Sequence, residues 1–328
     1  MSLFNLYDVE TVTGIGTCVS SEMKTAIDLW NSIFRHDAEW NEKYPSCGVL
    51  EAIYGALSRA VGEELDVTTE NEAIEKAIKK LNELSYETVT YLVSLGGVVC
   101  RPVISCGRLQ QELIPLGNYL PTSYDFDGTL TGCVICKAFD ESGKKYLLIE
   151  KHEYKNKNHE VTALLYEVVS GKLRAKGLQE TSKTAELTPY YVWQNVEQPM
   201  IIEFRNRGVN KIDGSNVPCA MIAGAEKLIE DADKQYFRIN WEQEGGEMKV
   251  FADTDLFQPI QGADNKAIKA NIDKSLQRLF VKFNGELDGD KKIETHAPAL
   301  RTVDQSLALQ EIFKRIEQTC HFGRGPLS

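Results

Sequence analysis

Residues 144–169 read KKYLLIEKHEYKNKNHEVTALLYEVV. Two runs rich in apolar and β-branched residues, 145–154 and 160–169, are separated by a polar stretch of lysine and asparagine. That pattern predicts two strands joined by a solvated hairpin turn, with His152 and His159 at its margins. Strands of the same texture are expected upstream in VVCRPVIS (98–105) and GCVICKAF (132–139), and downstream in PMIIEFRN (199–206). DFDGTL (125–130) and DESGKK (140–145) supply turn chemistry. Consecutive strands without intervening helices predict an antiparallel sheet in an α+β chain and argue against βαβ units of the dinucleotide-binding kind.

The flanks of this sheet read as helical. Met23, Ile27, Trp30 and Phe34 recur every three or four residues, as do Leu50, Tyr54, Leu57 and Val61. Thr69 and Glu72 form a capping-box pattern ahead of a long helix through Ile74, Ile78, Leu81, Val89 and Leu92, ending at Gly96-Gly97. After the polar segment RNRGVNKIDGSNVP (205–218), a helix is expected from Val217 to Trp241, with Met221, Ala225, Leu228, Ala232, Tyr236 and Ile239 on its apolar face. A strand in MKVFAD, a helix near Lys266–Leu276 and a strand in RLFVKF follow. The last helix, Thr302 to His321, carries Val303, Leu307, Ile312, Phe313, Ile316 and Cys320 on one face. Two long helices flanking a compact insert of about sixty residues are expected to run antiparallel, with the insert at their tip.

The 328 residues are 42% apolar, which excludes a disordered chain. Thirty-seven basic against 48 acidic residues leave a formal charge of −11, which argues against a free-standing binder of nucleic-acid phosphates. No secretory signal and no apolar run long enough for a membrane helix is recognisable, so the chain reads as soluble and intracellular, with reduced cysteines.

The chemistry-bearing motifs are weak. Cys133 and Cys136 form a C-x-x-C inside a strand, where residues three apart point to opposite faces, and no second pair completes a zinc ribbon. Cys100 and Cys106 fare no better. Gly14 and Gly16 lack the third glycine of a dinucleotide loop. Asp125, Asp127 and Asp140 sit where turns favour aspartate, and no glutamate completes a calcium loop. Nucleophile elbow, phosphate loop and zinc-helix motifs are absent from the sequence. No enzyme, metal or cofactor is expected.

Glu226, Glu230 and Asp233 recur at i, i+4 and i+7, an acidic stripe with two readings. One is a solvated helix face or a salt-bridged contact between subunits. The other is a channel wall that repels DNA phosphates, so that a duplex slides without being held. Lys282, Lys291 and Lys292 read as surface charges.

Several stretches in order carry a resemblance. They are YLVSLGGVVCRPVI, then GKKYLLIEKHEYKNKNHEVTALLYEV, then PMIIEFRNRGVNKIDGSNVPCAMIAGAEKLIEDADKQYFRINWEQEGGEMKVFAD, and finally HAPALRTVDQSLALQEIFKRIEQTCHFGRGPLS. Together they resemble the portal proteins of tailed bacteriophages, the minor-capsid type of phages and prophages of Gram-positive bacteria. The resemblance implies a wing over 1–205, a linker and first stem helix over 206–244, a clip over 245–300 and a second stem helix over 301–328. The tunnel loop and crown of such portals would lie beyond Ser328. It further implies a homo-oligomeric ring, usually a dodecamer, at one vertex of the virion capsid, assembled in the host cytoplasm. Double-stranded DNA would pass through the ring. The partners implied are the large terminase, head-completion or adaptor proteins, and the major capsid and scaffolding proteins; no membrane, cofactor or catalytic centre is involved. The alternatives are a prophage interaction scaffold that forms no ring, or a metal- or thiol-dependent enzyme using cysteine and histidine.

Overall fold

The computed structural model describes residues 6–64, 68–71, 75, 83–105, 108–206, 208–246, 249–253, 260–261, 267–268, 280–283, 293–296, 299–321 and 327. The chain is α+β, with helices and largely antiparallel sheets. It divides into two compact units, one formed by residues up to Glu230 together with 313–328, the other by Asp231–Ile312.

In the first unit, α1 (Leu6–Thr13) is followed by α2 (Ser21–Phe34), α3 (Val49–Glu64) and α4 (Ser85–Leu95). Ser20 caps α2 by accepting the Met23 N–H at 3.1 Å, and Met23, Ile27 and Trp30 are fully buried, as their spacing predicts. Most of the expected capping-box helix, including Glu72, Ile74, Ile78 and Leu81, lies outside the described residues. Its end is α4, which packs on α2 and α3.

Gly96 terminates α4 with φ +91°, and its N–H reaches back to the Tyr91 and Leu92 carbonyls. The backbone of Cys219 and Ala220 lies directly over it. A Cβ at position 96 would sit 2.3 Å from the Cys219 carbonyl carbon. Gly96→Ala therefore combines a left-handed backbone with a backbone clash, and it is expected to cost about 3 kcal/mol or more, readable by urea denaturation.

The same packing corrects the expected helix start at Val217. Residues 217–220 are buried as an irregular segment, with the Met221 N–H donating to the Val93 carbonyl at 3.0 Å. Gly224 then adopts φ +89°, which a continuing right-handed helix does not allow. The helix α5 runs from Glu226 to Gly245, and Tyr236, expected on the apolar face, is 40% exposed.

The strands β1 (Gly97–Ser105), β2 (Arg108–Pro115) and β9 (Ile202–Arg205) form a three-stranded antiparallel sheet in the order β2-β1-β9. A six-stranded antiparallel sheet comprises β3 (Tyr119–Tyr124), β4 (Leu130–Glu141), β5 (Lys144–Lys155), β6 (Asn158–Val169), β7 (Lys172–Lys176) and β8 (Tyr190–Trp193). The strands β7 and β8 share one side of β6, pairing with its far and near ends. One face buries Val9, Val134, Leu147, Ile149 and Tyr166; the other buries Tyr146, Leu148, Ala163, Leu165 and Leu178.

In the second unit, β10 (Lys249–Asp253) is central to a small mixed sheet, parallel to β13 (Phe280–Phe283) and antiparallel to β14 (Ile293–His296). A short pair, β11 (Ile260–Gln261) and β12 (Ala267–Ile268), accompanies it. The helix expected near Lys266–Leu276 is thus replaced by strand at 267–268, where Ile260 and Ile268 pair, while 269–276 lie outside the described residues. The final helix, α6, spans Thr302–Thr319.

Candidate functional site

The acidic stripe does not form one solvated face. Glu226 opens α5 and accepts from the Trp30 indole N–H at 2.8 Å and from the Gly224 N–H at 2.7 Å, so it stabilises a helix N-terminus where a negative charge is favoured. Glu230 pairs with Lys227 at 2.9 Å. Asp233 is only 1% exposed. Two of the three are thus committed to the interior order of the chain itself. The second half of that helix serves a different purpose. Glu242 receives the Arg301 N–H at 2.9 Å, the Arg301 side chain at 3.2 Å and the Gln305 amide at 2.5 Å, while Gln235 donates to the Gln305 carbonyl at 3.2 Å. The end of α5 is thereby stapled to the start of α6 with opposite chain sense.

The densest polar chemistry lies between the two sheets of the first unit. Arg101 on β1 faces Glu112 on β2 in register and contacts it at 2.9 Å. Its guanidinium also lies 2.9 Å from Glu150 and 3.3 Å from His152 Nε2, both on β5. Lys137 on β4 closes on Glu112 at 2.5 Å. Burial disfavours the Arg101 charge, but Glu150 and Glu112 outweigh it and raise its pKa. Burial likewise opposes ionisation of Glu112, and Lys137 and Arg101 reverse the balance and lower its pKa.

The network continues through His152 Nδ1 to His159 Nε2 at 3.1 Å and from His159 Nδ1 to the Met200 N–H at 3.4 Å. These histidines are not in the solvated turn. The turn is the pair Asn156-Lys157, both at positive φ, as a two-residue hairpin of the primed type requires. Pairing Tyr154 with His159 and His152 with Val161 places the two rings as diagonal neighbours on one face, 2% and 0% exposed. Two neutral imidazoles carry two ring hydrogens, and N–H donors stand at both ends of the chain of contacts. Any choice of tautomers therefore leaves at least one contact unmatched, and the longest, to Met200, is the least costly to lose. An added proton would face the Arg101 guanidinium. Burial and then Arg101 hold His152 down to about 3, and burial holds His159 down to about 4.

A second buried acid lies on β9. Glu203 accepts from Tyr119 and Tyr124 at 2.8 and 3.2 Å; burial outweighs those bonds and raises its pKa to about 7.

The strand cysteines sit as their spacing predicts. Cys133 is fully buried on the His152 face, while Cys136 packs with Val134 and Ile149 on the other. Burial pushes the Cys136 thiol up to about 12 and raises that of Cys133 as well, which disfavours the nucleophilic thiolate. Among the described residues no group of three or more His, Cys, Asp or Glu is placed to hold a metal ion. Among the same residues no helix is long and apolar enough to cross a membrane. No known protein family matches the sequence, and no curated protein matches it.

Proposed function

We propose that the chain is a portal-type subunit, a structural component of a ring that conducts double-stranded DNA at a phage capsid vertex. The observation that carries the reading is the order helix, small mixed sheet, helix over 226–319, with Glu242 joining the end of the first helix to the start of the second. That arrangement supports a stem pair bearing a clip. Trp241, Val303 and Leu307 are 66%, 71% and 58% exposed, apolar surface that a neighbouring subunit would cover. The wing, in this reading, is residues 1–205, which carry the two large sheets of the first unit, and its buried ion network is a structural element. The ring would dock the terminase and the head-completion proteins and would supply no catalytic residue of its own.

Light scattering on the purified chain tests this. A closed multimer near twelve chain masses is expected. A monomer at every concentration reached would contradict it.

A further inference from the structure

The β3–β4 connection displays a single aromatic side chain. Phe126 is 110% exposed, at the tip of a turn closed by its own hydrogen bonds: Asp125 accepts from the Asp127 and Thr129 N–H groups at 3.1 and 2.9 Å, and the Gly128 N–H reaches the Asp125 carbonyl at 3.2 Å. A preformed turn presents its side chain with little ordering cost on binding. Arg205 packs behind Gly128, so with Asp125 and Asp127 the tip is net acidic.

Farther along the same strand lies a cavity of about 660 Å³. Its apolar wall includes Ile114, Cys136, Phe139, Leu148 and Leu187. Its charged lining comprises Arg35, Arg101, Lys137 and Lys183 against Glu112 and Glu150, an excess of two positive charges. Arg101 and Lys137 are engaged by the two glutamates, while Lys183 lies 5.1 Å over the Phe139 ring, near Glu141 outside the lining, with a long 3.4 Å contact to the Asp140 carbonyl. Arg35 and Lys183 therefore provide the excess positive charge.

We propose that Phe126 of one copy seats in this cavity of a second copy, with Asp125 and Asp127 meeting Arg35 and Lys183. Tip and cavity lie at opposite ends of β4, roughly 20–30 Å apart at about 3.3 Å per residue. One chain cannot satisfy its own pair. The contact is heterologous, head to tail, and repeated from copy to copy it generates a ring when the rotation closes. It rests on the ring reading above and gives that ring a specific joint in the wing.

The test places the photoreactive p-benzoylphenylalanine at position 126, and separately measures the assembly of Phe126→Ala and of Lys183→Glu with and without Asp127→Lys. Cross-links between copies should map to 113–115, 136–139 or 184–187. Phe126→Ala should weaken self-association roughly thirtyfold, the effect of losing a central aromatic anchor. Lys183→Glu should weaken it too, and Asp127→Lys should restore part of the loss. Wild-type rings with unaffected Phe126→Ala assembly, or cross-links mapping elsewhere, would overturn the joint and leave the ring reading standing. A wild-type chain that never self-associates would overturn both.

Discussion

Arg101→Met is expected to destabilise the first unit by about 3–5 kcal/mol, the cost of removing one partner from a buried ion pair. Glu112 would keep Lys137 at 2.5 Å, but Glu150, 5% exposed, would be left buried without a cation. The loss arises from that orphaned carboxylate, so the double variant Arg101→Met/Glu150→Met should recover at least half of it. Urea unfolding of the two single variants and the double variant makes the comparison. A loss below about 1 kcal/mol for Arg101→Met would mean that the network is solvated and not buried.

Acidification should destabilise the fold through the two histidines. Their folded pKa values, about 3 and about 4, lie below the ordinary value of 6.5. The unfolded chain therefore takes up protons that the folded chain refuses. Stability is full above pH 6.5 and falls as pH drops toward the folded values. Between pH 7 and 5 the two rings together withdraw about 4 kcal/mol. Glu203 acts oppositely. Its folded pKa, raised to about 7, lets the folded chain bind a proton over a range where the unfolded carboxyl stays ionised. It returns about 2 kcal/mol over the same interval, leaving a net loss of about 2 kcal/mol. Glu203→Gln keeps an acceptor for Tyr119 and Tyr124 while removing the titration, and it should roughly double the net loss. Replacing both histidines should reverse the sign of the slope. An unchanged profile in Glu203→Gln would show that this carboxyl titrates normally in the folded chain.

These residues also show where sequence reasoning succeeds and where it stops. The helix α2 was legible because one apolar face recurring every three or four residues suffices to define it. The strand β5 was legible because both faces are buried over 146–150, which gives a long apolar run, and β6 because burial alternates along it with the strand period. The strand β2, RLQQELIP, escaped notice because it is polar. Glu112 is there to meet Arg101 and Lys137, a reason that exists only in three dimensions. The exposed strand β7, KLRAK, carries no apolar alternation to read.

The histidine pair was within reach. Taking Asn156-Lys157 as a two-residue turn fixes the register and puts His152 diagonal to His159; reading the whole lysine-rich stretch as loop concealed it. The surroundings of the acidic stripe were not legible for a different reason. Helical spacing places three carboxylates on one face but does not say whether that face meets solvent, and Trp30, 196 residues from Glu226 in sequence, claims the first of them. Helical periodicity also ran through Val217–Ala225, where burial against Gly96 and the left-handed Gly224 prevent a helix.

Negative-stain electron microscopy of the purified chain tests the central claim most directly. The portal reading predicts closed rings with a central hole wide enough for duplex DNA. Uniform particles without a hole, or open filaments under every condition tried, would contradict it.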